Sequence, residues 1–393
     1  MPGRRLPLMM SSLLVFAAMF SFGMLLQLKL RELGASLLVI GLLTTVRGAV
    51  ETFGSPAWGA ISDGFKKRRY FLLVTTAVPG VLYFFFSVIE IPAGFIMLSG
   101  LIAFFTAGFE PIAMALSTER SRDSVRNTSR ELSLLNSANS MGMFSGRLLL
   151  ALLLLFFTVS MTIKWFASLA LIAAIPILFV REGERKTTHR KGFLTRLFPL
   201  TSDASPLLKN GLWAVYMGTL LRQLGIAGAT SIIAVYLTET VGLSGSLTAA
   251  ITAINPFMQI FSHIFFGRII YRIGARKSTL FGIGLTVVSV LCFAFAWDWM
   301  LIAAGYFTLG IAFGAFINGA GTMIALGAPP ERRAEFLGLL RSSRAVGFMI
   351  GPLVAGTIAE ISFFAMFVTM GILALIGGII VAAFTRNSPI VVQ

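Results

Sequence analysis

Apolar residues run along this chain in twelve blocks, each about as long as a bilayer is thick, with short polar breaks between them. A membrane-crossing helix needs about 20 mostly apolar residues. On that basis the predicted spans are 8–30, 37–62, 70–89, 94–117, 132–158, 162–180, 210–238, 244–270, 278–296, 299–325, 336–360 and 362–384. The apolar positions are continuous and do not alternate, so the pattern predicts helices and not barrel strands. The longer runs must tilt or extend beyond the lipid. The longest polar interruption, Arg181 to Lys209, separates six spans from six. The pattern therefore predicts an all-α membrane protein of twelve transmembrane helices. Its expected parts are an N-terminal six-helix bundle (1–181), a cytoplasmic linker (182–209) and a C-terminal six-helix bundle (210–393).

Composition strengthens this picture. The 393 residues are 56% hydrophobic and 12% charged, about half the charged share of a soluble domain. The formal charge of +16 matters less than its placement. With the N-terminus set in the cytoplasm, the inner segments hold 24 of the 32 Lys and Arg residues, and the outer loops hold three: Lys29, Arg31 and Lys164. This asymmetry orients the chain with both termini inside, and the basic loops face an anionic inner leaflet. The charge is thus read as a membrane signal, with lipids and no nucleic acid as partners. No small-residue cleavage site follows the first apolar run, which is read as a retained helix. One cysteine, Cys292, and two histidines, His189 and His263, leave no disulfide framework, and no metal or other cofactor is expected. No H-E-x-x-H, G-x-S-x-G or G-x-x-x-x-G-K-[ST] pattern occurs, so no enzyme is expected.

The halves repeat. GAISDGFKKRR (59–69) aligns with GRIIYRIGARK (267–277) at an offset of 208, each just after the second helix of its half. These stretches resemble the signature loop of the major facilitator superfamily of secondary transporters, roughly G-x-x-x-D-R-x-G-R-R. Gly59, Asp63, Lys67 and Arg68 match it in the first copy, and Gly267, Arg272, Gly274 and Arg276 in the second. Gly64, Lys66 and Tyr271 depart from it. The resemblance implies a conformational latch at these residues, with Asp63 as a helix-end acid and Gly59 permitting close approach. At an offset of 205, Gly142 and Gly146 align with Gly347 and Gly351, and the second stretch continues through Pro352 to Gly356. This resembles a glycine-rich motif best known in the superfamily's antiporters, where it belongs to helix 5. Here Arg147 stands in helix 5 where that motif has proline. The bottom-up reading is packing, since small residues four apart let helices approach closely.

Seven ionisable residues other than histidine lie well inside predicted helices: Arg47, Glu51, Glu110, Arg147, Arg222, Arg341 and Arg344. A charge at the bilayer centre costs at least about 2.5–3.5 kcal/mol, so each must pair, snorkel or face a wet cavity. Arg47 and Glu51 are four apart and share a helix face. The repeat maps them onto Asn255 and Gln259, and maps Arg341 and Arg344 onto Asn136 and Asn139. In the resembled superfamily these four helices border the central cavity, so the eight positions predict a polar path there. Arg222, mid-helix and unable to snorkel, is the foremost substrate-contact candidate; Gln223 beside it faces another direction. Glu51 and Glu110 are the candidate proton carriers.

The expected function is secondary transport of a small solute by alternating access in the cell membrane, by a monomer. Two substrate readings stay open. One is proton-coupled efflux of amphipathic compounds, as in drug or metabolite exporters. The other is organic-anion transport on the intramembrane arginines. A transport-inactive membrane sensor is a third, more remote reading.

Overall fold

The computed structural model describes residues 6–63, 67–118, 125–180, 211–327 and 333–385. The linker 182–209 and the Asp63 side chain lie outside the described part. Among the described residues the regular structure is helical. We number the helical segments α1 (Leu6–Glu32), α2 (Leu37–Asp63), α3 (Arg69–Phe85), α4 (Pro92–Thr106 continued by Phe109–Thr118), α5 (Val125–Phe156) and α6 (Val159–Ile172, followed by a 3-10 turn at Pro176–Phe179). The second six are α7 (Leu212–Ser231, continued by Ile233–Val235 and a π turn at Tyr236–Thr240), α8 (Gly245–Thr252 continued by Ile254–Ile273), α9 (Ala275–Ala294), α10 (Trp299–Gly327), α11 (Arg333–Ala359) and α12 (Phe363–Phe384). Each predicted span has its helical counterpart. Ten segments among the described residues are long and apolar enough to cross a membrane, or eleven with the bent α7 counted as one. The 17-residue α3 is apolar but shorter.

Three helices are broken, two of them for a reason visible in the chain. Proline has no N–H to give to the carbonyl four residues earlier. Pro111 therefore leaves Ala107 without its helical donor, and α4 breaks there; the Gly108 N–H turns to the Phe105 carbonyl at 3.1 Å. Pro256 does the same to Thr252, and α8 breaks at Ala253, whose N–H is shared between the Ala249 and Ala250 carbonyls. The third break bends α7 by 43° at Ile232 without a proline. The turn that follows it is anchored by the Tyr236 hydroxyl, which donates to the Phe293 carbonyl at 3.1 Å.

The chain forms two compact units. The first comprises Met1–Ala35, Val50–Leu197 and Gly245–Ala253; the second comprises Ser36–Ala49, Phe198–Ser244 and Ile254–Gln393. The first half of α2 thus belongs to the second unit, and the first piece of α8 to the first. Shifted by the repeat offset of 208, residues 36–49 fall on 244–257, so the exchanged segments are repeat equivalents. In the first unit α1 packs on α5 and α6. Its core includes Trp58, Leu72, Phe109, Ile112 and Leu135, and the Trp58 indole donates to the Phe104 carbonyl at 2.7 Å. In the second unit α7 packs on α11 and α12, and α10 on α8 and α9, around Leu212, Val215, Ile283, Phe316, Phe336 and Val381.

Glycine sets the tightest joints. In the first unit, a Cβ on Gly142 or Gly146 of α5 would run into the carbonyls of Leu13 and Ala17 on α1. In the second, a Cβ on Gly347 or Gly351 of α11 would run into those of Leu220 and Leu224 on α7. Also within the second unit, Pro352 and Gly356 of α11 lie against Gly41 and Leu37 of α2. There the Leu38 N–H donates to the Glu360 carboxylate at 2.9 Å.

Candidate solute site in the second unit

Arg222 sits in the middle of α7 with none of its surface exposed. Its Nε–H donates to Thr286 Oγ1 on α9 at 2.9 Å. The guanidinium carbon lies 4.1 Å from the centre of the Phe316 ring and 5.8 Å from that of Phe313, both on α10. Nη1 and Nη2 meet no hydrogen-bond acceptor. Ring faces attract the cation but cannot replace the lone pairs that four N–H groups seek. The charge that acts on Arg222 is another cation, Arg344 of α11. The next residue, Gln223, is also buried, and neither end of its amide has a partner. Its Cβ faces Gly347 of α11, so the two neighbours do point different ways, as consecutive helical residues must.

Phe313 is the centre of the arrangement. The Arg344 guanidinium lies 5.5 Å from its ring centre, against 5.8 Å for Arg222. The half-buried His263 of α8 meets Phe313 in an edge-to-face contact at 6.1 Å, and Arg344 acts electrostatically on this histidine too. Asn318 of α10 donates its amide to the His263 carbonyl at 3.2 Å. Phe313 and Arg344 are both partly exposed, whereas Arg222 is enclosed. Three helices thus bring an aromatic ring, a histidine and an accessible guanidinium together, and a second guanidinium lies 5.8 Å from the same ring centre.

The other expected site residues are distributed as follows. Asn255 and Gln259 join through an amide–amide hydrogen bond at 2.9 Å on α8. Arg341 is exposed, one turn before Arg344. Asn136 is exposed on α5, while Asn139 is buried with an Oδ1 that meets no donor. Arg47 groups with the second unit and Glu51 with the first, although both stand on α2. Glu51 is half-buried; Glu110 is exposed in the first turn after the α4 break, where a helix N-terminus favours an acid. Arg147 is buried with its guanidinium 4.6 Å from the Phe20 ring centre.

The signature loops show a different kind of contact from the one expected. Arg69 Nη1 donates to the Leu178 carbonyl at 3.3 Å, and Arg276 Nη2 donates to the Ala382 carbonyl at 2.6 Å while its Nε–H reaches Thr385 Oγ1 at 3.0 Å. In each half, a cation at the start of the third helix meets the C-terminal end of the sixth, where carbonyls carry partial negative charge. Arg68 is buried beside this contact, and Lys67 and Arg272 are exposed. Among the described residues, a Cβ on Gly59 or Gly267 would meet nothing within 4 Å, so the close approach expected at Gly59 is not found there. Gly274 is required for another reason, its φ of 87°.

Comparison with known proteins agrees with this architecture. The family model described as Major Facilitator Superfamily matches twice, over residues 8–221 and 215–392. An uncharacterized MFS-type transporter, YhjO of Bacillus subtilis, is 29% identical over 139 residues, 35% of each chain. The quinolone resistance protein NorA of Staphylococcus aureus is 27% identical over 180 residues, 45% of this chain and 46% of its own. The chain thus spans less than half the length of these curated relatives. Among solved structures, the nucleoside transporter NupG superposes with a TM-score of 0.79 at 15% identity, covering 98% of each chain. The human organic anion transporter MFSD10 gives 0.67 at 18%, covering 97% of this chain and all of its own. At such identities these likenesses show the fold. With its apolar spans and its family match, the chain is a multi-pass integral protein of the plasma membrane.

Proposed function

We propose that this chain, which belongs to the Major Facilitator Superfamily of transporters, carries a small amphipathic solute bearing an anionic group, with Arg344 as the residue that takes that group. The observation that carries this reading is the pair of guanidiniums on Phe313. Two like charges beside one ring in a low-dielectric interior repel each other and attract an anion strongly. Arg344 is the accessible member. The Phe313 ring and the edge-on His263 supply the apolar surface for the rest of the solute. Arg222 is the foremost arginine by depth in the chain, but its enclosure gives it the role of a fixed positive charge beside the ring.

The test is flux through purified protein in liposomes, comparing an amphipathic carboxylate with its uncharged amide and with an amine of the same skeleton. The carboxylate is expected to move at least tenfold faster, about 1.4 kcal/mol of preference, and Arg344→Gln to abolish that preference. Equal flux of all three, or full preference in Arg344→Gln, sinks the reading.

A second reading, proton-driven efflux, is favoured by the relative named for quinolone resistance. Its carriers would be Glu51 and Glu110. An inward pH gradient is then expected to drive solute outward, and Glu51→Gln or Glu110→Gln to uncouple it. Full gradient coupling in both variants removes these glutamates from the mechanism. The role of Asp63 as a latch is tested separately: Asp63→Asn should shift the balance of conformations measured by accessibility labelling.

A further inference from the structure

Asn255, Gln259 and His263 follow one another at four-residue intervals on α8. At about 100° per residue they lie within about 80° of one another, on one face of the helix. The exposed apolar side chains of α8, Phe257, Phe261, Ile264 and Phe265, centre on the opposite face. Polar groups inside a membrane span turn away from lipid in this way. The rotation of α8 is fixed by α10. A Cβ on Gly310 would run into Met258 and the Asn255 carbonyl, a Cβ on Gly314 would run into Ser262, and Ser262 Oγ donates to the Ile311 carbonyl at 2.7 Å. Within the polar stripe, Gln259 Nε2 donates to Asn255 Oδ1 at 2.9 Å. That bond leaves one acceptor, Gln259 Oε1, and one donor group, Asn255 Nδ2. Among the described residues neither meets a partner, and neither is sealed from solvent. In this they differ from the Arg222 Nη atoms and the Gln223 amide, which are fully covered. His263 stands one turn on, about 6 Å along the helix, beside Phe313, whose ring the Arg344 guanidinium also faces.

We infer that the Asn255–Gln259 amide pair is a second subsite for the solute, taking a neutral group that presents a donor and an acceptor side by side: a primary carboxamide, a lactam or an imide. In this role, which rests on the anionic solute position at Arg344, the pair recognises the end of the solute remote from its charge. The class follows from the groups left open: one acceptor and one donor, on neutral amides, with no net charge to offer. An alkyl group or a ketone in that place would leave Gln259 Oε1 without a donor. A largely buried polar group left unmet is costly, and sites built on hydrogen bonds discriminate most strongly against the analogue that lacks one. The transported class is then a carboxylate with a carboxamide-type group farther along its skeleton.

The probes are four solutes on one amphipathic skeleton, followed as flux through the full-length purified protein in liposomes. Two are carboxylates, one with a primary carboxamide and one with the methyl ketone of the same shape; the other two carry a hydroxymethyl group in place of the carboxylate. The carboxamide is expected to move at least about tenfold faster than its ketone in both pairs. Gln259→Met should erase that preference and keep the preference for carboxylate, whereas Arg344→Gln should do the converse. Equal flux of carboxamide and ketone in the unsubstituted protein overturns the inference and needs no folded variant. So does a carboxamide preference that survives undiminished in both Gln259→Met and Asn255→Leu. Carboxamide preference without carboxylate preference, lost in Gln259→Met, would keep the subsite and remove the anionic reading; carboxylate preference alone would keep that reading and remove the subsite.

Discussion

On α5, Gly142 and Gly146 press against the carbonyls of Leu13 and Ala17; on α11, Gly347 and Gly351 press against those of Leu220 and Leu224. The spacing is the same, and an offset of 207 carries the first pair of carbonyls onto the second. The chemistry beside the two joints is not the same. Val15 and Phe16 stand on α1 where Arg222 and Gln223 stand on α7, and Val78 stands on α3 where Thr286 stands on α9. In the first unit both positions hold valine; in the second an arginine reaches a threonine. A duplicated scaffold keeps its close helix contacts through glycine, while the buried charge beside each joint sits on a different helix: Arg147 on α5 against Phe20 in the first copy, Arg222 on α7 against Thr286 in the second. Burying such charges costs stability.

The sharpest way to break this comparison is to give the first unit what the second has. Val15→Arg places a charge in an apolar setting and should cost at least about 2.5–3.5 kcal/mol, seen as loss of monodisperse protein in size-exclusion chromatography. A normal elution profile would mean that the two joints tolerate charge equally. Next in size, Thr286→Val gives the second unit the residue of the first. It removes a hydrogen bond to a charged group, so a loss of about 1.5–3 kcal/mol is expected, read as a lower thermal midpoint; no shift would deny Thr286 its role. Gly146→Val and Gly351→Val should be costly to a similar degree, about 1–3 kcal/mol each from overpacking. A large difference between them would show that the two joints are not equivalent. The smallest effect is expected from Arg69→Gln and Arg276→Gln, about 0.3–1 kcal/mol each for a cation at a helix C-terminus. Arg276→Gln removes donors to the Ala382 carbonyl and to Thr385 Oγ1, and Arg69→Gln a donor to the Leu178 carbonyl.

The helices were legible because a bilayer imposes a length and an apolar composition on anything that crosses it. The breaks in α4 and α8 carry their own signal, a proline four residues on from each lost bond. The bend at Ile232 has no such mark, and neither Pro nor a charge announces it. The glycine repeat was legible as a pattern, but its partners were not: nothing in the spacing of Gly351 names Leu224. Arg222 was conspicuous as a charge in mid-helix, yet its direction depended on Thr286, 64 residues away, and on the rings of α10. The role of Phe313 was hidden among 36 phenylalanines, most of which serve packing or lipid contact. Only the two guanidiniums on its ring distinguish it.

The composition of the two units also bears on the order in which the chain can be built. Gly245–Ala253 belongs to the first unit, so that unit is incomplete when synthesis passes the linker and stays so until the first piece of α8 has emerged. The converse holds for Ser36–Ala49, made early but belonging to the second unit. Domains usually fold as units in order of synthesis. Here the early half must wait with part of its apolar surface uncovered, and a ribosome that stalls between Gly211 and Gly245 would leave in the membrane a first half that is fully translated yet not fully assembled.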